Sequence, residues 1–132
     1  MTTDRKDPIG IIEKIGIIEG VEIGGFSTVH VANAIMQLES VLDAVIVGVM
    51  FEGDILLGFK ALVVPKGEFR GKLREEDVRN YLKSLNRFPE EWLPDRVIFV
   101  ESIPRTSTGN LDKKEVIRIL FSEGNSGNKK DT

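Results

Sequence analysis

The chain has no cysteine and a single histidine, His30. Disulfides and thiolate chemistry are therefore excluded, and an ordinary structural zinc site lacks its ligands, so no metal site is expected. Long apolar runs are also missing. Nothing approaches the roughly 20 consecutive apolar residues that span a bilayer. The opening MTTDRKDPIG has no apolar stretch behind its charges to serve as a secretory signal. The expectation is a cytoplasmic protein without membrane insertion. Charge of one sign is not in excess either, because 18 Lys and Arg are interspersed with 21 Asp and Glu for a net −3. That balance argues against the basic stripe nucleic acid requires, and no Walker pattern offers a phosphate loop.

What is present suits one globular domain. The 132 residues, 41% of them apolar, are enough to bury a core without metals or crosslinks. Residues 1–7 and 122–132 are polar and rich in glycine or asparagine, so both are expected to be disordered tails around a domain spanning 8–121. Within it, IIEKIGIIEGVEIGG, punctuated by Gly16, Gly20 and Gly24, predicts an N-terminal β-hairpin of two short strands. Val29 to Leu38 reads as an amphipathic helix, with Val29, Ala32, Ile35, Met36 and Leu38 on one face and His30, Asn33 and Gln37 on the other. VLDAVIVGVMF and ILLGFKALVV, joined by EGD, predict two paired strands of a buried sheet.

Val78, Tyr81, Leu82 and Leu85 follow helical spacing, so LREEDVRNYLKSL predicts a second helix that Pro89 terminates. RVIFV is a last strand. Asp112 and Glu115, three apart, predict a capping box for the closing helix DKKEVIRILF. The order β-β-α-β-β-α-β-α is that of a small, compact α+β domain, its sheet packed with helices.

Three stretches invite a chemical reading. Thr106, Ser107 and Thr108 precede Gly109 and Asn110 in a short loop ahead of a helix whose first N–H groups point back, an arrangement able to take an anion. The commoner explanation for such a stretch is an ordinary turn with solvated lysines, Lys113 and Lys114, behind it. Gly24, Gly25 and Phe26 would let a ligand approach the backbone closely, or simply turn the chain out of the hairpin. Trp92, between two prolines, would stack on a planar ligand or pack a loop onto the core, and the latter is commoner. His30 has no carboxylate or second histidine near it in sequence and reads as a solvent-facing helical residue.

The segment EEWLPDRVIFVESIPRTSTGNLDKKEVIR closely resembles the closing part of AMP-forming acyl-CoA synthetases, in particular medium- and long-chain fatty acid–CoA ligases of the adenylate-forming superfamily. There a W-L-P-D stretch, a strand and a P-[KR]-T-x-x-G-K-x-[DR]-[KR] loop follow one another. GGF, the amphipathic helix, VLDAVIVGV and VVPKG match the rest of the small C-terminal domain, so the resemblance covers about residues 10 to 120. It implies the lid of a two-domain enzyme that joins a carboxylate to AMP from ATP, used with magnesium, and then passes the acyl group to the thiol of coenzyme A. The implied partner is a synthetase N-terminal body. Thr106 to Gly109 would belong to the ATP loop, and Gly24, Gly25 and Phe26 to the face that meets coenzyme A.

The departures from that pattern carry implications too. Asn110 stands at the position of the family lysine, so the cation presented to the acyl-phosphate oxygens is absent. His30 and Ala32 fall near positions where the family has glutamates. With no large domain in the chain, no cofactor is expected to bind this domain by itself, and the implied function is a lid inactive alone. The alternative is a non-catalytic binding or regulatory module that kept the fold and lost the chemistry.

Overall fold

The computed structural model describes residues 13–130. The expected tail at 1–7 lies outside them. Strand β1 (Ile15–Glu19) is followed by a two-residue pair, β2 (Glu22–Ile23) and β3 (Phe26–Ser27), and by helix α1 (Thr28–Met36). Then come β4 (Val41–Phe51), β5 (Ile55–Pro65), α2 (Glu75–Ser84), β6 (Arg96–Phe99) and α3 (Lys113–Lys130).

Alternating burial in the two long strands organises the molecule. Ala44 and Ile46 of β4 face one way and Val45, Val47 and Val49 the other, and all are buried. A strand apolar on both faces must be covered on both, and it is. α1 and α2 bring Val31, Ala34, Ile35, Val78 and Leu82 onto Ile46, Phe59, Ala61 and Val63. On the opposite face Val116 of α3, with Ile103 and Leu111, packs on Ile15, Ile17, Val47, Leu62 and Ile98. Each such fully buried aliphatic side chain contributes about 1.5–3 kcal/mol. The sheet order is β1-β4-β5-β6, antiparallel except for the parallel pair β5 and β6 that the α2 crossover connects. The α+β class predicted from the sequence is what is found.

The predicted N-terminal hairpin is corrected by the pairing. β1 does not turn back on β2; it pairs with β4, Ile17 opposite Val49. The eleven residues of β4 offer β1 a five-residue ladder, whereas β2 has only two residues to pair. The actual hairpin is smaller and later, β2 with β3 about Gly24 and Gly25, whose φ values of 59° and 87° define a tight turn that suits glycine at both central positions. Thr28 fastens this ribbon to the helix: its N–H donates to the Val21 carbonyl (2.9 Å) and its Oγ1 accepts the Val21 N–H (3.0 Å).

Helix boundaries moved for local reasons. Ser27 Oγ accepts the Val29 N–H at 3.0 Å and caps α1, which rotates Val29 out to 49% exposure although periodicity places it on the apolar face. α2 ends at Ser84 with Asn86 at φ 52°, before Pro89 is reached. α3 runs Lys113–Lys130, into the 122–132 stretch that the sequence reading takes as a tail.

β5 outruns its neighbour. β6 pairs only with Lys60 to Val63, so Ile55 to Gly58 have an open side, and Ile55, Leu56 and Leu57 are 50%, 45% and 51% exposed. The β4–β5 register is irregular at this point, between Val49 and Met50. Gly58 sits here at φ 140°, where Asp95 comes so close that an added Cβ would lie 2.6 Å from its Oδ2.

Candidate functional site

The stretch from Pro104 to Asp112 is a tight projecting hairpin. Its two feet, Ile103 and Leu111, are buried in the α3-side core. Arg105 and Leu111 form an antiparallel bridge, the Thr106 N–H donates to the Asn110 carbonyl (2.8 Å), and the Gly109 N–H to the Thr106 carbonyl (2.9 Å). Every residue from Arg105 to Asn110 is exposed.

Side chains at this tip bond to one another. Thr106 Oγ1 and Thr108 Oγ1 are 3.0 Å apart, Asn110 Nδ2 donates to Thr108 Oγ1 (3.3 Å), and Arg105 Nη1 donates to the Gly109 carbonyl (3.4 Å). Ser107 stands exposed between the two threonines. The tip therefore presents hydroxyl and amide dipoles rather than a formal charge, with Arg105 at its base. Sequence reasoning did not single out Arg105, although its place after Pro104 was visible.

An anion at the start of α3 is disfavoured. Asp112 Oδ1 already accepts the Glu115 N–H (3.2 Å), which places a carboxylate where an anion would bind. Only half of the predicted capping box forms. The Asp112 N–H goes to the Pro104 carbonyl (2.9 Å), and the Glu115 carboxylate turns outward to Arg118 Nε and Nη2. Hydrogen bonding to Arg118 holds the Glu115 carboxyl below its ordinary pKa, and the same pairing raises that of Arg118.

Gly24, Gly25 and Phe26 form the β2–β3 turn, and no hydrogen bond or ion pair among the described residues joins that turn to the Thr106–Asn110 loop. Phe26 is half-buried, 6.2 Å from Trp92, which itself stacks on Phe59 at 5.2 Å and 16°. With 9% exposure, Trp92 packs its loop onto the core, as the commoner of its two readings expects. His30 is exposed on α1.

Two depressions flank α1. One, of about 350 Å³, is bounded by Gly25, Phe26, His30, Asn33, Gln37 and Arg87, with Phe88 beside them. The other, of about 180 Å³, runs between Val29 and Met36 of α1 and the start of β4, with Glu19, Asp43 and Arg105 at its rim. Among the described residues no group of three or more His, Asp or Glu is placed to hold a metal ion, and no helix is long and apolar enough to cross a membrane.

The family model of the AMP-binding enzyme C-terminal domain matches residues 30–110. The chain belongs to this family. The D-alanine–D-alanyl carrier protein ligase of Staphylococcus aureus is 28% identical over 92 residues, 69% of this chain and 18% of that protein. The fatty acyl CoA synthetase of Mycobacterium tuberculosis superposes with a TM-score of 0.54 at 25% identity, over 83% of this chain and 20% of that one. ATP-bound MatB from Rhodopseudomonas palustris shares the fold, with a TM-score of 0.57 at 24% identity over 78% of this chain and 20% of its own. The chain thus spans about a fifth of these relatives' length. As a member of this family the chain carries the projecting loop at the very end of the matched region, which closes on Asn110; the Gly24–Phe26 turn lies before that region.

Proposed function

We propose that this chain is the lid of an AMP-forming fatty acid–thiol ligase, silent by itself and weak at adenylation even when docked on a larger N-terminal body. In the full reaction the acid's carboxylate would displace pyrophosphate from ATP to give acyl-AMP, and the thiol of coenzyme A would then displace AMP. ATP with its magnesium and coenzyme A are substrates of the assembled enzyme, and the proposed place of action is the cytoplasm.

One observation carries this reading: Thr106 to Asn110 stand on a hairpin whose feet are locked into the core, a rigid tip that reaches away from the domain. Such a tip can complete a site only if another surface supplies the pockets. At its end Asn110, in the position the resemblance gives to a lysine, offers an amide nitrogen already turned to Thr108 Oγ1. An amide can donate a hydrogen bond but brings no formal charge to oxygens on which negative charge gathers. Loss of one such preorganised group costs about 10²–10³ in rate. Gly24, Gly25 and Phe26 are proposed to meet the thiol substrate in the second half-reaction.

The test mixes the chain, as wild type and as Asn110→Lys, with the Mycobacterium tuberculosis fatty acyl CoA synthetase deprived of its own C-terminal domain. Thioester formation should rise with either form, and acyl-AMP formation should rise at least tenfold more with Asn110→Lys. No stimulation by either form removes the lid reading. The second reading, a binding or regulatory module without chemistry, is favoured by the exposed aliphatics Ile55 to Leu57. It would then be supported by capture of a partner other than a ligase body.

A further inference from the structure

We propose that Arg105 is a catalytic residue of the first half-reaction, its guanidinium bringing to the acyl-phosphate oxygens the positive charge that Asn110 lacks. The inference rests on the lid reading and adds to it a residue that lies outside the Thr106–Asn110 tip.

Of the cations on the described residues, Arg105 alone bonds to the tip: its Nη1 donates to the carbonyl of Gly109, the neighbour of Asn110 in the chain. At 3.4 Å that bond is longer than the usual range of about 2.7–3.2 Å, so it keeps the side chain beside the tip without locking it there. Arg105 is exposed, and among the described residues no carboxylate is within ion-pair distance of it. Glu19 and Asp43 share with it the rim of the smaller depression beside α1, yet neither forms an ion pair with it. The backbone, by contrast, is held. The bridge from Arg105 to Leu111 ties it to a foot of the hairpin that is buried in the core. A mobile guanidinium on a fixed backbone can exchange a carbonyl for an arriving anion.

The lysines behind the loop are less well placed. Lys113 and Lys114 open α3 between the Asp112 carboxylate that caps it and Glu115, and among the described residues neither bonds to the tip. Arginine also suits the task, because its planar fork gives two parallel N–H bonds to a phosphate or carboxylate and stays charged at any working pH. In the step served, a carboxylate oxygen bonds to the α-phosphorus of ATP while the bond from that phosphorus to the bridging oxygen of pyrophosphate breaks. Negative charge gathers on the oxygens around the phosphorus. Arg105 transfers no proton and offsets this charge through its N–H bonds alone. It must first leave the Gly109 carbonyl, so it contributes less than the about 10²–10³-fold of a preorganised group. Adenylation is then weak rather than absent.

The test follows the two half-reactions separately, with the full chain added to the Mycobacterium tuberculosis fatty acyl CoA synthetase deprived of its own C-terminal domain. Acyl-AMP formation is measured with dodecanoate and ATP, and thioester formation with preformed acyl-AMP and coenzyme A. Arg105→Gln should lower the kcat of acyl-AMP formation about tenfold at an unchanged KM for ATP, and should alter the thioester step by less than about twofold. Arg105→Lys keeps the charge and should retain at least about a third of the wild-type rate. With Asn110→Lys already in place, Arg105→Gln should cost less than about threefold, since the tip then carries its own cation. Equal losses in both backgrounds or in both half-reactions overturn the proposal and leave the lid reading standing. So do full activity in Arg105→Gln, an Arg105→Lys variant as slow as Arg105→Gln, or stimulation by Asn110→Lys where the wild type gives none. No stimulation by any form overturns both.

Discussion

Replacing Trp92 with alanine removes a side chain that packs between Phe26 of the β2–β3 turn and Phe59 of the sheet. The indole is 9% exposed, stacks on Phe59 at 5.2 Å and lies 6.2 Å from Phe26. Truncating a buried tryptophan costs about 3–5 kcal/mol from lost transfer energy and the void left behind. That is a large part of the about 5–15 kcal/mol that holds a domain folded. Trp92→Phe keeps a ring on Phe59 and loses two buried carbons and the indole nitrogen, roughly 1.5 kcal/mol at ~0.8 kcal/mol per carbon. Urea unfolding followed by far-ultraviolet circular dichroism should place the alanine midpoint about 2 M below wild type at a slope near 2 kcal/mol/M, with phenylalanine between them. Amide exchange at Gly25 and Phe26 should quicken in Trp92→Ala, because the turn loses its anchor. A shift of less than about 0.5 M, or phenylalanine no better than alanine, would show that the stack does not support this corner of the fold.

Other consequences are as concrete. Gly58→Ala should cost about 2 kcal/mol from its φ of 140° and the approach of Asp95 Oδ2, and adding Asp95→Ala should recover the part due to contact but not the part due to the backbone; a double-mutant cycle by urea unfolding separates them. Asp112→Ala should cost about 1 kcal/mol through loss of the α3 cap, read as a drop in melting temperature of about 4 °C. Glu115 should titrate below the ordinary glutamate value of about 4.5 by nuclear magnetic resonance, and return towards it in Arg118→Ala. Because the folded value is the lower one, whatever stability this pair adds is present above that ordinary value and disappears as pH falls through the folded one.

The sequence made the centre of the fold legible and its margins much less so. β4 and β5 announce themselves through nearly continuous apolar runs, the first rich in β-branched residues, with a turn between, and α2 through Val78 and Leu82, both of which are buried. The partner of β1 was not visible because it lies some thirty residues away, and local glycine spacing carries no information about a ladder that distant. Val29 was misplaced because a capping serine shifted the helix start, a choice between hydroxyl and apolar contacts that periodicity does not weigh. At the candidate loop the residue types were readable, and so was Asp112 as the cap of α3, but not that Asn110 would spend its amide on its own hairpin.

Eleven residues of β5 face four of β6, and the surplus has a cost for solubility. A bare strand margin bearing Ile55, Leu56 and Leu57 is the kind of template along which chains stack into larger aggregates as concentration rises. The irregular register beside Val49 works against that outcome, because a kinked rail presents its amide and carbonyl groups out of step with any straight strand that arrives. Straightening the kink while keeping the three aliphatics would leave the domain folded and make it markedly more prone to precipitate.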